Sequence, residues 1–261
     1  MPTPHATYET HGPVGILTFN RPEARNAMTW EMYDALVEAC DRFDEDHEVK
    51  VLVLRGAGGK AFVAGTDIAQ FEAFRTAADG LAYEHRIDDV LDRLERVKKP
   101  TIALVQGVAA GGGCAIALSC DIRVATPEST FGIPIARTLG NCLSGATYAR
   151  LTDLVGPAVV KDLLFTGRFV GAGDAFAVGL VTRIVAADQI EEAVRDLARE
   201  IASNAPLTLR ATKEMLRRLA AKRRLAAGDD RDLVEMCYGS ADFKEGVAAF
   251  LAKRPPRWTG K

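Results

Sequence analysis

Along roughly the first two thirds of the chain, short β-branched runs alternate with one-sided apolar stretches; beyond that the strand-like runs stop. Val14 to Asn20, VGILTFN, lies between Gly12-Pro13 and Arg21-Pro22 and predicts a strand, since the residue before a proline is pushed away from helix. From Thr29 to Asp46 apolar residues fall at Met32, Leu36, Ala39 or Cys40 and Phe43, the spacing of a one-sided helix, with Thr29 placed as N-cap. Lys50 to Arg55 predicts a buried strand, and Thr66 or Asp67 can cap a helix that begins there. Tyr83, Ile87, Val90, Leu91, Leu94 and Val97 draw the apolar stripe of a helix over Leu81 to Val97, which Pro100 stops. Thr101 to Asp121, TIALVQGVAAGGGCAIALSCD, reads as strand, loop and helix.

A strand over Ile122 to Ala125 and an irregular segment over Ser129 to Asn141 come next. Helices are predicted over Leu143 to Leu154, Pro157 to Leu164 and Gly171 to Val178, with a strand over Val181 to Val185. After that the pattern is helical: Asp188 to Ser203, with Asp188 and Glu191 at capping-box-like spacing, then Pro206 to Ala226 and Leu233 to Lys253. Strand and helix in alternation followed by a helical tail predict an α/β fold, with the tail embracing its own core or a neighbouring subunit.

With 261 residues, 48% of them hydrophobic, the chain can bury a sizeable core. A net charge of −2 calls for neither nucleic acid nor an anionic membrane as partner. No apolar run reaches the roughly 18 residues of a membrane span, and the first residues lack a signal pattern, so a cytoplasmic location is expected. Five cysteines lie scattered without CxxC or Cys/His spacing, which predicts small apolar residues and no metal site.

Two glycine clusters carry candidate chemistry. Gly56 to Ala61 has the outline G-x-G-x-x-A after a strand, as in a dinucleotide-binding turn, and on that reading the chain would bind NAD(H). Such a turn must open a helix at once, however, and Phe62-Val63-Ala64-Gly65 looks like a further strand. Gly111 to Gly113 does precede an apolar helix. Glycines there let backbone N–H groups face outward, and a helix N-terminus adds unpaired donors, an arrangement suited to negative charge developing on oxygen.

Six ordered blocks carry a resemblance that covers nearly the whole chain: NRPEARNAM (Asn20 to Met28), FVAGTDI (Phe62 to Ile68), KPTIALVQGVAAGGGCAIALSCDIRVA (Lys99 to Ala125), FGIP (Phe131 to Pro134), LFTGRFVGAGDAFAVGLVTRIV (Leu164 to Val185) and FLAKRPPRW (Phe250 to Trp258). Together they resemble the crotonase, or enoyl-CoA hydratase/isomerase, superfamily. The resemblance implies a spiral of ββα units over residues 1–187 and a C-terminal helical, trimerising region over 188–261, in a homotrimer or hexamer. It implies an acyl-CoA thioester as substrate, with coenzyme A entering as part of that substrate and no separate cofactor. The thioester enolate would be held by the backbone N–H groups of Thr66 and Gly112. Ala24, Arg25, Ala27, Ala64, Asp67 and Ile68 would line the coenzyme A path, and Phe250 and Lys253 would reach the nucleotide.

Two departures bear on the reaction. A two-glutamate hydratase of this family carries one carboxylate two residues after the glycine run, where this chain has Ala115. Its second carboxylate follows the FGxP turn, where Ile135 and Ala136 share the equivalence because the segment is one residue longer. Standard hydration should then be impaired, which leaves isomerisation, decarboxylation, hydration with another acid/base, or silent acyl-CoA binding. Arg137 could hold a substrate carboxylate, while Glu84, His85 and Asp88 sit on a helix that in this family borders the acyl pocket.

Overall fold

The computed structural model describes residues 4–226 and 228–261. Its first half runs β1 (Ala6–His11), β2 (Val14–Phe19), α1 (Trp30–Glu45), β3 (Val51–Gly56), β4 (Ala61–Val63), α2 (Ala77–Glu95), β5 (Thr101–Val105), β6 (Val108–Ala110) and α3 (Gly112–Ser119). Then come β7 (Ile122–Ala125), β8 (Thr130–Gly132), α4 (Ile135–Thr138), α5 (Gly145–Thr166), β9 (Val170–Gly171), α6 (Ala172–Ala177), β10 (Arg183–Ile184), α7 (Ile190–Ala202), α8 (Pro206–Ala221), α9 (Arg231–Tyr238) and α10 (Ala241–Leu251). Three times in succession the chain gives one strand to a large sheet, one to a small sheet, and then a helix. The large sheet has the order β1-β2-β3-β5-β7-β10 and the small one β4-β6-β8-β9.

Both faces of the large sheet are covered, which explains its nearly unbroken apolar runs. Leu17, Phe19, Leu52, Leu54, Ala103 and Val105 join the core with the first three helices. Val51, Val53, Ile102, Leu104 and Val124 pack instead against Ile190, Val194, Leu197 and Ala198 of α7. The tail therefore embraces its own chain, with α9 against α2 and α10 against a short 3-10 helix at Ile68–Ala73.

Several elements differ from the sequence expectation. β1 is an edge strand with only Ala6 buried, so its polar sequence gave no apolar alternation. β6, β8 and α4, at three or four residues each, are too short for periodicity to mark. The helix expected from Thr66 is the 3-10 helix, with Asp67 accepting from the Ala69 N–H. The Asp188–Glu191 capping box does not form; α7 starts at Ile190 without a side-chain cap, and Glu191 pairs with Arg55 at 2.9 Å. The expected helix over Leu233 to Lys253 breaks at Gly239-Ser240, where Ser240 Oγ accepts from the Phe243 N–H to start α10.

The helix that matters most for the site is α3, buried over Gly113 to Ser119. Its C-terminal end is held by the buried Arg123, whose guanidinium donates to the carbonyls of Cys120 at 2.5 Å, Ala117 at 3.2 Å and Leu180 at 2.7 Å. One cation thus satisfies helix-end carbonyls and fastens them to the chain ahead of β10. Arg123→Leu strips those acceptors of their donor, and each buried unpaired carbonyl costs about 1–3 kcal/mol. Urea unfolding should show a loss of at least ~3 kcal/mol; a midpoint unchanged from the parent would contradict this role.

Candidate functional site

Two loops meet beside the N-terminal end of α3. In the first, Arg25 and Asn26 take left-handed φ values of 52° and 57°. Asn26, fully buried, pays for its conformation with three hydrogen bonds: Oδ1 accepts from the Arg21 N–H, and Nδ2 donates to Ala57 O and Ala61 O. Asn26 explains Gly56 as well: a Cβ there would lie 2.8 Å from Asn26 Nδ2 and 2.3 Å from two backbone oxygens. Gly56 is required for loop packing, and β4 follows Gly56–Lys60 where a dinucleotide turn would open a helix. The second loop, Ala64 to Asp67, is stitched to the first by Ala64 N–H to Arg25 O, Met28 N–H to Gly65 O and Asp67 N–H to Met28 O. Arg21 clamps the pair, donating to Asp67 Oδ2 at 2.7 Å and to Ala27 O.

This stitching does not use the Thr66 N–H. The bridge between Met28 and Thr66 uses the amides of Met28 and Asp67, so the Thr66 N–H takes no part in it. Gly112, first residue of α3, has an N–H that helix geometry leaves without an intrahelical acceptor, and Gly111 ahead of it supplies no capping side chain. The two lie close: a Cβ on Gly112 would sit 3.8 Å from Thr66 N, 3.2 Å from Thr66 Oγ1 and 2.6 Å from Tyr33 Oη. Only glycine leaves room there. Both residues line a cavity of about 480 Å³.

The threonine side chain organises the surrounding polar groups. Thr66 Oγ1 lies 2.8 Å from Tyr33 Oη and 2.8 Å from Tyr83 Oη. Tyr33 is fully buried, and burial pushes its phenol well above the ordinary value; the Tyr83 phenol is raised for the same reason. Both stay neutral. Tyr33 has Thr66 as its hydroxyl partner, so its O–H must donate to Thr66 or go unpaired in the core. That leaves the Thr66 hydroxyl proton for Tyr83, which lines the cavity.

A second polar group enters from α2. Glu84, Asp88, Asp92 and Glu95 follow at three- and four-residue spacing along one face of that helix. The buried Arg150 of α5 pairs with Asp88 at 3.3 Å, with Glu95 at 2.9 Å and with Asp92; Arg224 pairs with Asp92 and Glu95. Glu84, buried and on the cavity wall, instead accepts from Tyr238 Oη at 2.5 Å and from the Ser144 N–H at 3.0 Å. Burial pushes its carboxyl up to about 8, Asp88 and Asp230 push the same way, and the Tyr238 and Ser144 donors oppose.

The residues named from the sequence divide into two groups. Ala24, Arg25, Ala27, Ala64, Thr66, Asp67, Ile68, Gly112 and Phe250 all line the one cavity. Arg137 and Lys253 do not: both are exposed, and the Arg137 side chain leaves α4 toward Gly167. Of the two residues that share the equivalence, Ile135 lines the cavity with Ala115 while Ala136 faces solvent. His85 is exposed. Tyr33 and Tyr238 could not be singled out as site residues from the sequence; their only signal is apolar helical spacing, which marks core equally well.

Thr66→Ala should strand the buried Tyr33 hydroxyl while leaving the Thr66 N–H in place. Thermal unfolding would show a loss of about 1–3 kcal/mol, with acyl-CoA binding retained. Unchanged stability would contradict the hydroxyl chain.

The chain is similar to known proteins over nearly its whole length. Residues 9–261 match the family model described as Enoyl-CoA hydratase/isomerase. The chain is 34% identical to the short-chain-enoyl-CoA hydratase of Clostridium acetobutylicum over 94% of both sequences, and 34% identical to the crotonyl-CoA hydratase of Syntrophomonas wolfei over 95% of both. Among solved structures it is similar to methylmalonyl-CoA decarboxylase in complex with 2-nitronate-propionyl-CoA, with a TM-score of 0.90 at 29% identity over 98% of this chain and 99% of that one. An enoyl-CoA hydratase/carnithine racemase from Magnetospirillum magneticum gives a TM-score of 0.81 at 32% identity, over 100% of this chain and 97% of that one. With its ββα spiral of the crotonase fold, the chain belongs to the enoyl-CoA hydratase/isomerase family of acyl-CoA-processing enzymes.

Proposed function

We propose that this enzyme binds an acyl-CoA thioester along the cavity and stabilises the enolate of its acyl group with the backbone N–H groups of Thr66 and Gly112. The observation that supports this reading is that Thr66 and the uncapped Gly112 at the start of α3 lie side by side on one cavity wall. Each such donor, aimed where charge develops, contributes about 3 kcal/mol to the transition state. The coenzyme A part would run past Ala24, Arg25, Ala27, Ala64, Asp67 and Ile68, with Phe250 on the same lining. Lys253, exposed at the end of the tail, would meet the nucleotide only in an assembly. For that assembly we propose a homotrimer or hexamer: α8 buries none of its residues, and Leu207 and Leu216 stand 78% and 62% exposed.

Two-carboxylate hydration is not the reaction this cavity supports. Ala115 and Ile135 occupy its wall, and positioned acids and bases are worth roughly 10² to 10⁴ each in rate. Decarboxylation of a malonyl-type ester is the second reading, favoured by the likeness to methylmalonyl-CoA decarboxylase; it needs the enolate hole and no base. It would proceed without Arg137, which the fold turns to solvent.

Incubation with crotonyl-CoA should give hydration far slower than a kcat of roughly 10 s⁻¹, and Ala115→Glu with Ile135→Glu should raise it. A parent already that fast would contradict the reading. With crotonyl-CoA and methylmalonyl-CoA both bound and neither turned over, the protein would be a silent acyl-CoA binder for those esters. Light scattering should report three or six copies of 28.1 kDa, and a monomer would contradict the assembly.

A further inference from the structure

Among the described residues, one carboxyl group on the cavity wall has no basic partner. Of the acidic stripe on α2, Asp88, Asp92 and Glu95 are neutralised by Arg150 or Arg224, while Glu84, only 5% exposed, is held by two neutral donors. A tie between α2, α9 and the start of α5 does not require a charge-bearing group at that point; an amide would cost far less to bury. The other carboxylate on the lining, Asp67, is already committed to Arg21 and to the cap of the 3-10 helix.

We propose that Glu84 is the proton-transfer group of this enzyme, exchanging a proton with the α-carbon of the bound thioester, with Tyr238 as its positioning residue. The proposal rests on the enolate reading. A Glu84 carboxylate oxygen forms an O–H bond as the Cα–H bond breaks; that bond's electron pair becomes the enolate C=C bond while the carbonyl π pair moves onto the thioester oxygen, to which the Thr66 and Gly112 N–H groups donate. Return of the proton to the same carbon is exchange. Return to the γ-carbon of an unsaturated chain shifts the double bond. Either outcome needs one carboxyl, in contrast to hydration, which must both activate water and deliver a proton.

Tyr238 fixes the orientation of Glu84 by donating to Oε1, and Asn141 Nδ2 donates in turn to Tyr238 Oη at 3.0 Å. The groups around Glu84 are Tyr83 and Asp88 of its own helix, Tyr33 of α1, Tyr238 of α9, Asp230 just before α9, Cys142 and the Ser144 N–H ahead of α5, and Tyr148 within α5; Asn141 approaches through Tyr238 and Arg150 through Asp88. Among them the Tyr238 hydrogen bond holds the Glu84 carboxyl down, so its loss moves titration upward.

The test is deuterium wash-in at the α-carbon of butyryl-CoA, a saturated ester, incubated with the full-length protein in D₂O and followed by mass spectrometry across pH. Wild type should exchange, with a rate that climbs with pH and levels off above about 8. Glu84→Gln should lower the rate by roughly 10² or more while butyryl-CoA still binds, and Tyr238→Phe should shift the midpoint to higher pH. Should Glu84→Gln fail to fold, the Tyr238→Phe profile decides. Wild-type exchange in Glu84→Gln, or a profile unmoved by Tyr238→Phe, overturns the role of Glu84 and leaves the enolate reading standing. A wild type that binds butyryl-CoA without exchange overturns the role of Glu84, and it overturns the enolate reading as well if methylmalonyl-CoA is bound and not decarboxylated.

Discussion

The N-terminus of α3 is left without a cap, and the surrounding structure keeps it that way. A buried helix end normally recruits a Ser, Thr, Asp or Asn side chain to its first amides. Here Gly111 and Gly112 supply none, and Tyr33 and Thr66 crowd close enough that a side chain at Gly112 would not fit. At the far end Arg123 fastens the last carbonyls of the helix, so α3 is pinned at one end and open at the other. The loop carrying Thr66 is positioned by a separate route, through Asn26, the Met28 bridge and the Arg21–Asp67 pair. Two independent anchorings bring Thr66 and Gly112 together, the kind of preorganisation that the proposed oxyanion hole needs.

Around that point the buried polar groups are connected. Tyr33, Thr66 and Tyr83 form a hydroxyl chain, and burial keeps both phenols protonated. Glu84, Tyr238 and Asn141 form a second chain entering from the tail. The tail thereby does more than cover the core: α9 supplies a hydroxyl to a carboxyl on the cavity wall, and α10 supplies Phe250 to the same lining. Arg150 and Arg224 hold α2 from its acidic side and so set where Tyr83 and Glu84 sit.

Much of this was legible in the sequence, for physical reasons that also mark its limits. The glycine run, the strand before it and the FVAGTDI loop are contiguous, and their chemistry is backbone chemistry, so local composition reveals it. The resemblance placed nine residues that do line one cavity. It did not resolve the segment after FGIP, because a single extra residue in a four-residue helix decides which side chain turns inward; Ile135 does, and Ala136 and Arg137 face out. Glu84 stood beside His85 and Asp88 as an equal candidate until tertiary contacts separated them. Its partner Tyr238 is 154 residues away, a distance over which helical spacing carries no information.

Infrared difference spectroscopy of an acyl-CoA carrying a ¹³C-labelled thioester carbonyl tests the central claim most directly, because it reads polarisation of that one bond in the bound state. Two backbone donors at Thr66 and Gly112 require the C=O stretch to move to lower frequency on binding. A bound carbonyl absorbing at its solution frequency would contradict the oxyanion hole and the enolate chemistry built on it.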